Sequence, residues 1–265
     1  MLIDAHVHIF PDAVARRATE RLSQLGSMRA YADGTRAGLL AAMQRAGIDR
    51  AVNLPVATAP DPVTAINDWA VANNVLPVYS LAAIHPDSPD PLAILGEAKR
   101  RGLRGVKMHP EYQQFDPGED RLESIWLACM ELNLPILFHS GYDAAYPPPF
   151  HSSPAKFAIL ARRHPRLRMV LAHCGCLEGW RDVADTLKGM PNVAVDLAYS
   201  FGIIPPDGLI RLIRGLGAER VLFGTDSPWR DAAEDVKAFL ALSLTPGERE
   251  RIAWRNAVEL LGLEV

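Results

Sequence analysis

Cysteine is scarce in this chain, with three residues, Cys129, Cys174 and Cys176, an odd number lacking any CxxC spacing. That argues against a disulfide framework or a Cys-rich structural zinc site, and fits reduced thiols in a cytoplasmic protein. No stretch approaches the ~20 consecutive apolar residues a membrane-crossing helix needs. The N-terminus shows no signal-peptide pattern, since Met1-Leu2-Ile3 runs straight into Asp4-Ala5-His6. No Gly-rich phosphate turn follows the first apolar run, which speaks against a doubly wound open sheet. Internal repeats and low-complexity segments are missing. Basic residues form only short clusters, at 99–101 and 162–163, and the net charge is −3. No nucleic-acid footprint is expected from such a balance.

What the chain does have is ordinary globular composition, 49% hydrophobic and 22% charged, over 265 residues. One α/β barrel occupies such a length. A chain of this size buries roughly three-quarters of its unfolded surface, so a bound metal would serve chemistry rather than folding. Eight short apolar runs, at 2–7, 51–56, 78–84, 105–108, 135–138, 168–172, 193–197 and 221–223, alternate with stretches of helical periodicity. The helices are expected at 35–46, 62–73, 92–101, 122–132, 154–163, 205–216, 232–242 and 246–261, several ending at a glycine. The fold class this predicts is α/β, a single (β/α)8 (TIM) barrel domain over residues 1–265. Two long irregular stretches, 10–34 and 141–153, both follow strands and belong at the C-terminal rim, where substrate loops lie.

Six of the eight histidines (His6, His8, His85, His109, His139 and His173) fall at or just past the C-terminal end of an expected strand. All such ends converge on one face of a barrel, the face that carries active sites. His6 and His8 alternate along the first strand, so both imidazoles point the same way, an arrangement suited to a transition metal. His139 and His173 each cap an apolar run before a small-residue turn. Asp226 ends the last strand, which neighbours the first in a closed barrel. Asp4 has the parity of His6 but lies deeper, which suits a structural or supporting role; Asp196 is a further strand-borne acid. Lys107 and His109 share a face of the fourth strand. A lysine inside a barrel needs a partner, and three are open: a substrate carboxylate, a structural ion pair, or carbamylation to bridge two metals. His85 reads as a strand terminator and His151 as a rim-loop residue. Cys174 and Cys176 read as packing residues. Trp180 and Trp229 either line a pocket or cover the rim.

Taken in order, Ile3-Asp4-Ala5-His6-Val7-His8, Gly105-Val106-Lys107-Met108-His109-Pro110, Phe138-His139-Ser140-Gly141, Leu171-Ala172-His173-Cys174-Gly175 and Phe223-Gly224-Thr225-Asp226-Ser227-Pro228 resemble the amidohydrolase superfamily. The resemblance runs nearly end to end and is to its amidohydrolase-related branch, which includes aminocarboxymuconate-semialdehyde decarboxylase. It implies that His6, His8, His139 and Asp226 hold one divalent metal, with zinc expected and manganese or iron as alternatives. His173 and Asp226 would be the acid/base groups, with Lys107 and His109 contacting substrate. The expected activity is hydrolysis of an amide, lactone or related ester of a small carboxylate-bearing molecule, by metal-activated water. Non-oxidative decarboxylation or hydration of an unsaturated or aromatic acid is the alternative. A TatD-like nuclease is a second alternative, though an acid would then be expected where Lys107 and His109 stand. A small molecule is the expected partner, with neither nucleic acid nor membrane, and homo-oligomerisation left open.

Overall fold

In the computed structural model, residues 1–146 and 148–265 are described; position 147, within the expected rim stretch 141–153, lies outside the described residues. Among the described residues nine strands are found, with helices between all but β3 and β4: β1 (Ile3–Val7), β2 (Arg50–Asn53), β3 (Val78–Ser80), β4 (Ala82–Ala83), β5 (Val106–Met108), β6 (Ile136–Phe138), β7 (Met169–Leu171), β8 (Val193–Asp196) and β9 (Val221–Leu222). Every pairing is parallel, and the order follows the sequence, β1 to β3 in one sheet and β4 to β9 in another. The expected run 78–84 is thus two strand segments, broken at Leu81. There the chain changes partners: the Leu81 N–H donates to the Asn53 carbonyl (3.0 Å) and the Ala82 N–H to that of Gly105 (2.8 Å). The other seam is bridged from Ala5 N–H to Phe223 carbonyl, Asp226 N–H to His6 carbonyl and His8 N–H to Ser227 carbonyl, at 2.7 to 2.9 Å. The architecture is a (β/α)8 barrel whose ladder runs as two sheets meeting at these seams.

Inside the barrel, Ile3, Ala5, Leu81, Leu137, Val170 and Leu222 form one apolar cluster, sealed below by Ala257, Leu261 and Leu263 of the C-terminal segment. The outer core packs the helices against the strands. Along β1 the pairing register shifts between Asp4 and Val7. This irregularity lets Ile3 and Ala5 join the interior cluster while His6 and His8 both turn to the cavity above it, the re-aiming that a β-bulge provides. Simple alternation from Asp4 to His6 therefore does not hold. Asp4 instead accepts the N–H and hydroxyl of Thr225 at 2.9 and 2.6 Å.

Two expectations need correction. The stretch 10–34 is not irregular, because a helix occupies Asp12–Gly26. Its residues are mostly good helix formers with Asp12 in the first turn, but its buried face is only Ala15, Thr19 and Gly26, too few large apolar side chains to register as periodic. The expected closing helix 246–261 is three pieces, Pro246–Glu250, a π segment Arg251–Arg255, and Asn256–Leu261. The Ile252 carbonyl in that π segment accepts the Phe223 N–H at 2.9 Å, tying the helix to the β9 end. No helix among the described residues is long and apolar enough to cross a membrane.

Candidate metal centre and active-site cavity

A cavity of about 680 Å³ opens at the C-terminal ends of the strands. Its floor carries His6, His8, Lys107, His109, His139, His173 and Asp226. Proton bookkeeping on the first histidines is decisive. The His8 Nδ1 faces the Leu54 carbonyl at 3.0 Å, and a carbonyl only accepts, so Nδ1 carries the proton. The His6 Nδ1 lies 2.8 Å from Asp196 Oδ2. Burial pushes the Asp196 carboxyl upward, but its Oδ1 accepts the backbone N–H groups of His173 (2.9 Å) and Ala198 (3.1 Å), which favour the charged form. The proton therefore belongs to His6 Nδ1. Burial, with Lys107 nearby, holds His6 well below the ordinary histidine range, so the ring is neutral.

The His6 Nε2 is then left as a lone pair, as is that of His8 in its neutral form, Nδ1 carrying the one proton. The two Nε2 atoms face each other at 3.2 Å, and Asp226 Oδ1 lies 3.3 Å from each. Burial works to raise the Asp226 carboxyl, but the His8 hydrogen bond and the surrounding imidazoles outweigh it and hold it below the ordinary range. Three electron-rich atoms converge, and without a cation only a second proton on His8, donated to Asp226, holds them so close. Such a set is stable around a cation, and imidazole plus carboxylate suits zinc, manganese or iron. The second-layer contacts have the orientation that ligating histidines adopt, with the far N–H donated to a carboxylate or carbonyl.

His139 is placed differently. Its Nδ1 faces His173 Nε2 at 3.2 Å, and the His173 Nδ1 faces the Ala198 carbonyl at 3.2 Å. The His139 Nε2 is buried with no hydrogen-bond partner, an orphaned atom of the sort a bound cation would satisfy. Yet the donor atoms of His6, His8 and Asp226 form one cluster, whereas His139 clusters with His109 and Asp143. So of the four expected ligands the structure brings three together and sets the fourth beside His173. His109 Nε2 lies 3.3 Å from Asp143 Oδ2 and His139 Nε2 lies 3.9 Å away. The His109 Nδ1 accepts the Tyr112 N–H at 3.3 Å, which leaves its proton on Nε2 and directs that N–H at the Asp143 carboxylate. His109 is stacked between Tyr112 (3.8 Å) and His139 (4.0 Å). Burial lowers both His109 and His139 well below the usual range.

Lys107 is only 1% exposed and takes part in no ion pair among the described residues. Burial lowers its ammonium to about 8, against the pull of Asp196, Asp226 and Asp143. Backbone strain collects at the strand ends around these groups: His173, Cys174, Tyr199 and Asp226 have φ of 57°, 59°, 61° and 72°. Left-handed backbone costs of order 1–3 kcal/mol per non-glycine residue and gathers at functional sites. Gly224 lies close beside them, since a Cβ there would come 3.0 Å from the His6 Cβ and push on it.

The remaining candidates are spread outward. The His85 Nδ1 accepts the Asp87 N–H at 3.1 Å. The His151 N–H donates to Glu111 Oε1 at 2.8 Å. Cys174 is buried, and Cys176 packs against Gly141 and Gly179. Trp229 lines the cavity, whereas Trp180 stacks with Arg181. Sequence reasoning stopped short at two residues near the centre. Asp196 was visible as a strand-borne acid but its partner was not, and Asp143, in a rim loop, gave no signal at all.

A family model described as Amidohydrolase matches residues 3–263. The chain belongs to the amidohydrolase family. No curated protein matches it. Among solved structures it is similar to an uncharacterized TIM-barrel protein from Bordetella bronchiseptica (20% identity, 98% of each chain, TM-score 0.79). It is similar to 5-carboxyvanillate decarboxylase from Novosphingobium aromaticivorans, complexed with manganese and 4-hydroxy-3-methoxy-5-nitrobenzoic acid (14% identity, 99% of this chain and 96% of that one, TM-score 0.73). A candidate 2-pyrone-4,6-dicarboxylic acid hydrolase from Pseudomonas putida is also alike (20% identity, 100% of this chain and 98% of that one, TM-score 0.69). These likenesses establish the fold. Family and donor set together make this amidohydrolase a metal-dependent enzyme.

Proposed function

We infer that this amidohydrolase hydrolyses an amide, lactone or related ester of a carboxylate-bearing small molecule. The observation that carries the reading is the convergence of His6 Nε2, His8 Nε2 and an ionised Asp226 on one point of the cavity floor. His6, His8 and Asp226 would hold the cation, zinc first and manganese or iron as alternatives, with His139 as the further nitrogen. When bound, a divalent cation lowers the pKa of water and polarises a carbonyl oxygen.

The chain's own residues supply the rest. Asp226, a carboxylate rather than an acid, takes a proton from the attacking water and returns it to the leaving group. General base work of this kind contributes roughly 10²–10⁴-fold in rate. His173, held through its backbone by Asp196, orients the water or the developing oxyanion. Lys107 is the single Lys/Arg side chain among the described residues lining the cavity, and it holds the substrate carboxylate. That same single cation gives the TatD-like nuclease reading no basic track for a phosphate backbone. We place the enzyme in the cytoplasm, a reading supported by its three free thiols.

Likeness to 5-carboxyvanillate decarboxylase favours one second reading, non-oxidative decarboxylation, which uses the same donor set. The metal-loaded enzyme should therefore be offered two panels, one of esters, lactones and amides and one of aromatic and unsaturated acids. Acid release from the first panel, lost in Asp226→Asn, supports hydrolysis. CO2 release from the second with no cleavage of the first overturns it.

A further inference from the structure

The floor of the cavity is polar, but its upper part is not. Phe10, Val14, Leu22 and Met28, from the segment after β1, face Ile66 and Trp69, from the segment after β2, across the same cavity. All six side chains are only half-buried. Partly uncovered apolar side chains gathered in one place mark a binding surface rather than ordinary surface scatter. This lobe is continuous with the histidine floor, so whatever molecule reaches the floor also covers it. About 680 Å³ falls in the range of pockets that enclose drug-sized ligands.

Charge narrows the class further. Among the described residues Lys107 is the only Lys/Arg side chain lining the cavity, while Asp143 and Glu178 stand on its wall along with Asp226 on the floor. One cation at the bottom welcomes one carboxylate. A second carboxylate, carried toward the walls, would meet apolar surface or like charge, with no Lys or Arg among the described lining residues to compensate it.

We propose that the substrate is an amphipathic monoacid: one carboxylate for Lys107, the reacting group beside it, and an extended apolar group lying along Val14, Leu22, Ile66 and Trp69. The class rests on the hydrolytic reading only for the identity of the reacting group. Residues of the lobe are specificity determinants and touch no reacting atom.

Binding measured without turnover tests this. Metal-loaded protein is titrated with acetate, hexanoate, decanoate and decanedioate, followed by tryptophan fluorescence and calorimetry. Affinity is expected to climb about two- to fourfold per methylene from hexanoate to decanoate, as burial of apolar surface dictates, with decanedioate weaker than decanoate. Trp69→Ala and, independently, Met28→Glu should each cut the decanoate-to-hexanoate ratio severalfold, with metal content and circular dichroism unchanged. A flat series, or decanedioate binding as tightly as decanoate, overturns the proposal. The two readings fail separately. A steep series with no ester, lactone or amide cleaved sinks hydrolysis and leaves the lobe standing. Cleavage with no preference for chain length does the reverse.

Discussion

Asp196 is the residue on which two parts of the centre depend. One oxygen takes the His6 Nδ1–H and the other takes the backbone N–H groups of His173 and Ala198. Asparagine has one acceptor oxygen where three donors need two. Asp196→Asn should therefore weaken metal binding by roughly 10- to 100-fold, the usual effect of losing a ligand's supporting partner. Competition against a chelator measures it, and an unchanged affinity would remove Asp196 from the centre. Lys107 makes the opposite kind of case. Its buried ammonium lacks an ion-pair partner among the described residues, and a buried charge without one is costly. Lys107→Met should leave the melting temperature unchanged or higher, while raising KM for a carboxylate substrate on the order of 10- to 100-fold. A fall in stability with KM unchanged would return Lys107 to a purely structural role. His6, His8 and Asp226 could be found from the linear chain because each ends an apolar run. Asp143 could not, because its placement depends on a loop with no periodic pattern.

At the scale of elements, helix starts are fixed by local chemistry. The helix Pro246–Glu250 begins in a capping box: Thr245 Oγ1 accepts the Glu248 N–H at 3.2 Å, and Glu248 returns an oxygen to the Thr245 N–H at 2.7 Å. Arg214 Nε also donates to Glu248 at 3.1 Å. The Arg214 bond, followed by those from Thr245, holds the Glu248 carboxyl down at about 2. A depressed carboxylate stabilises the fold above its unfolded value near 4.5, and that contribution is lost as pH falls toward 2. Thermal melts of the wild type and Glu248→Gln should differ most at neutral pH and converge as pH approaches 2. A gap that persists there would show the stabilisation is not electrostatic. The same locality explains which elements were readable. The helices Arg36–Ala46 and Pro154–Arg163 show periodicity and boundary residues in sequence. The helix Asp12–Gly26 hides because its buried face is small.

The whole molecule divides between two ends of the barrel. Below, Leu261 joins Ala257 and Leu263 in sealing the interior cluster; above lie the donor atoms and the cavity. Leu261→Ala should cost roughly 2–5 kcal/mol, the range for truncating a buried leucine, and leave metal affinity within twofold. Urea unfolding and metal titration on the same preparations check both halves. Loss of metal affinity in step with stability would show that the two ends are not independent. The seams matter at this scale too, since hydrogen bonds across the β9–β1 junction bring Asp226 to His6 and His8 from the far end of the chain.

Parallel strand order and the gathering of His6, His8, His109, His139 and His173 on one rim were determined by the sequence alone. They depend on hydrophobic period and on the geometric fact that all strand ends in such a barrel share a face. Tertiary structure decided the rest. The register shift in β1 set which way His6 faces relative to Asp4. The tertiary structure set His139 against His173 and in one cluster with His109 and Asp143. Walls from two segments some forty residues apart made the apolar lobe. Each depends on distances between segments remote in the chain, and a linear pattern carries no information about those distances.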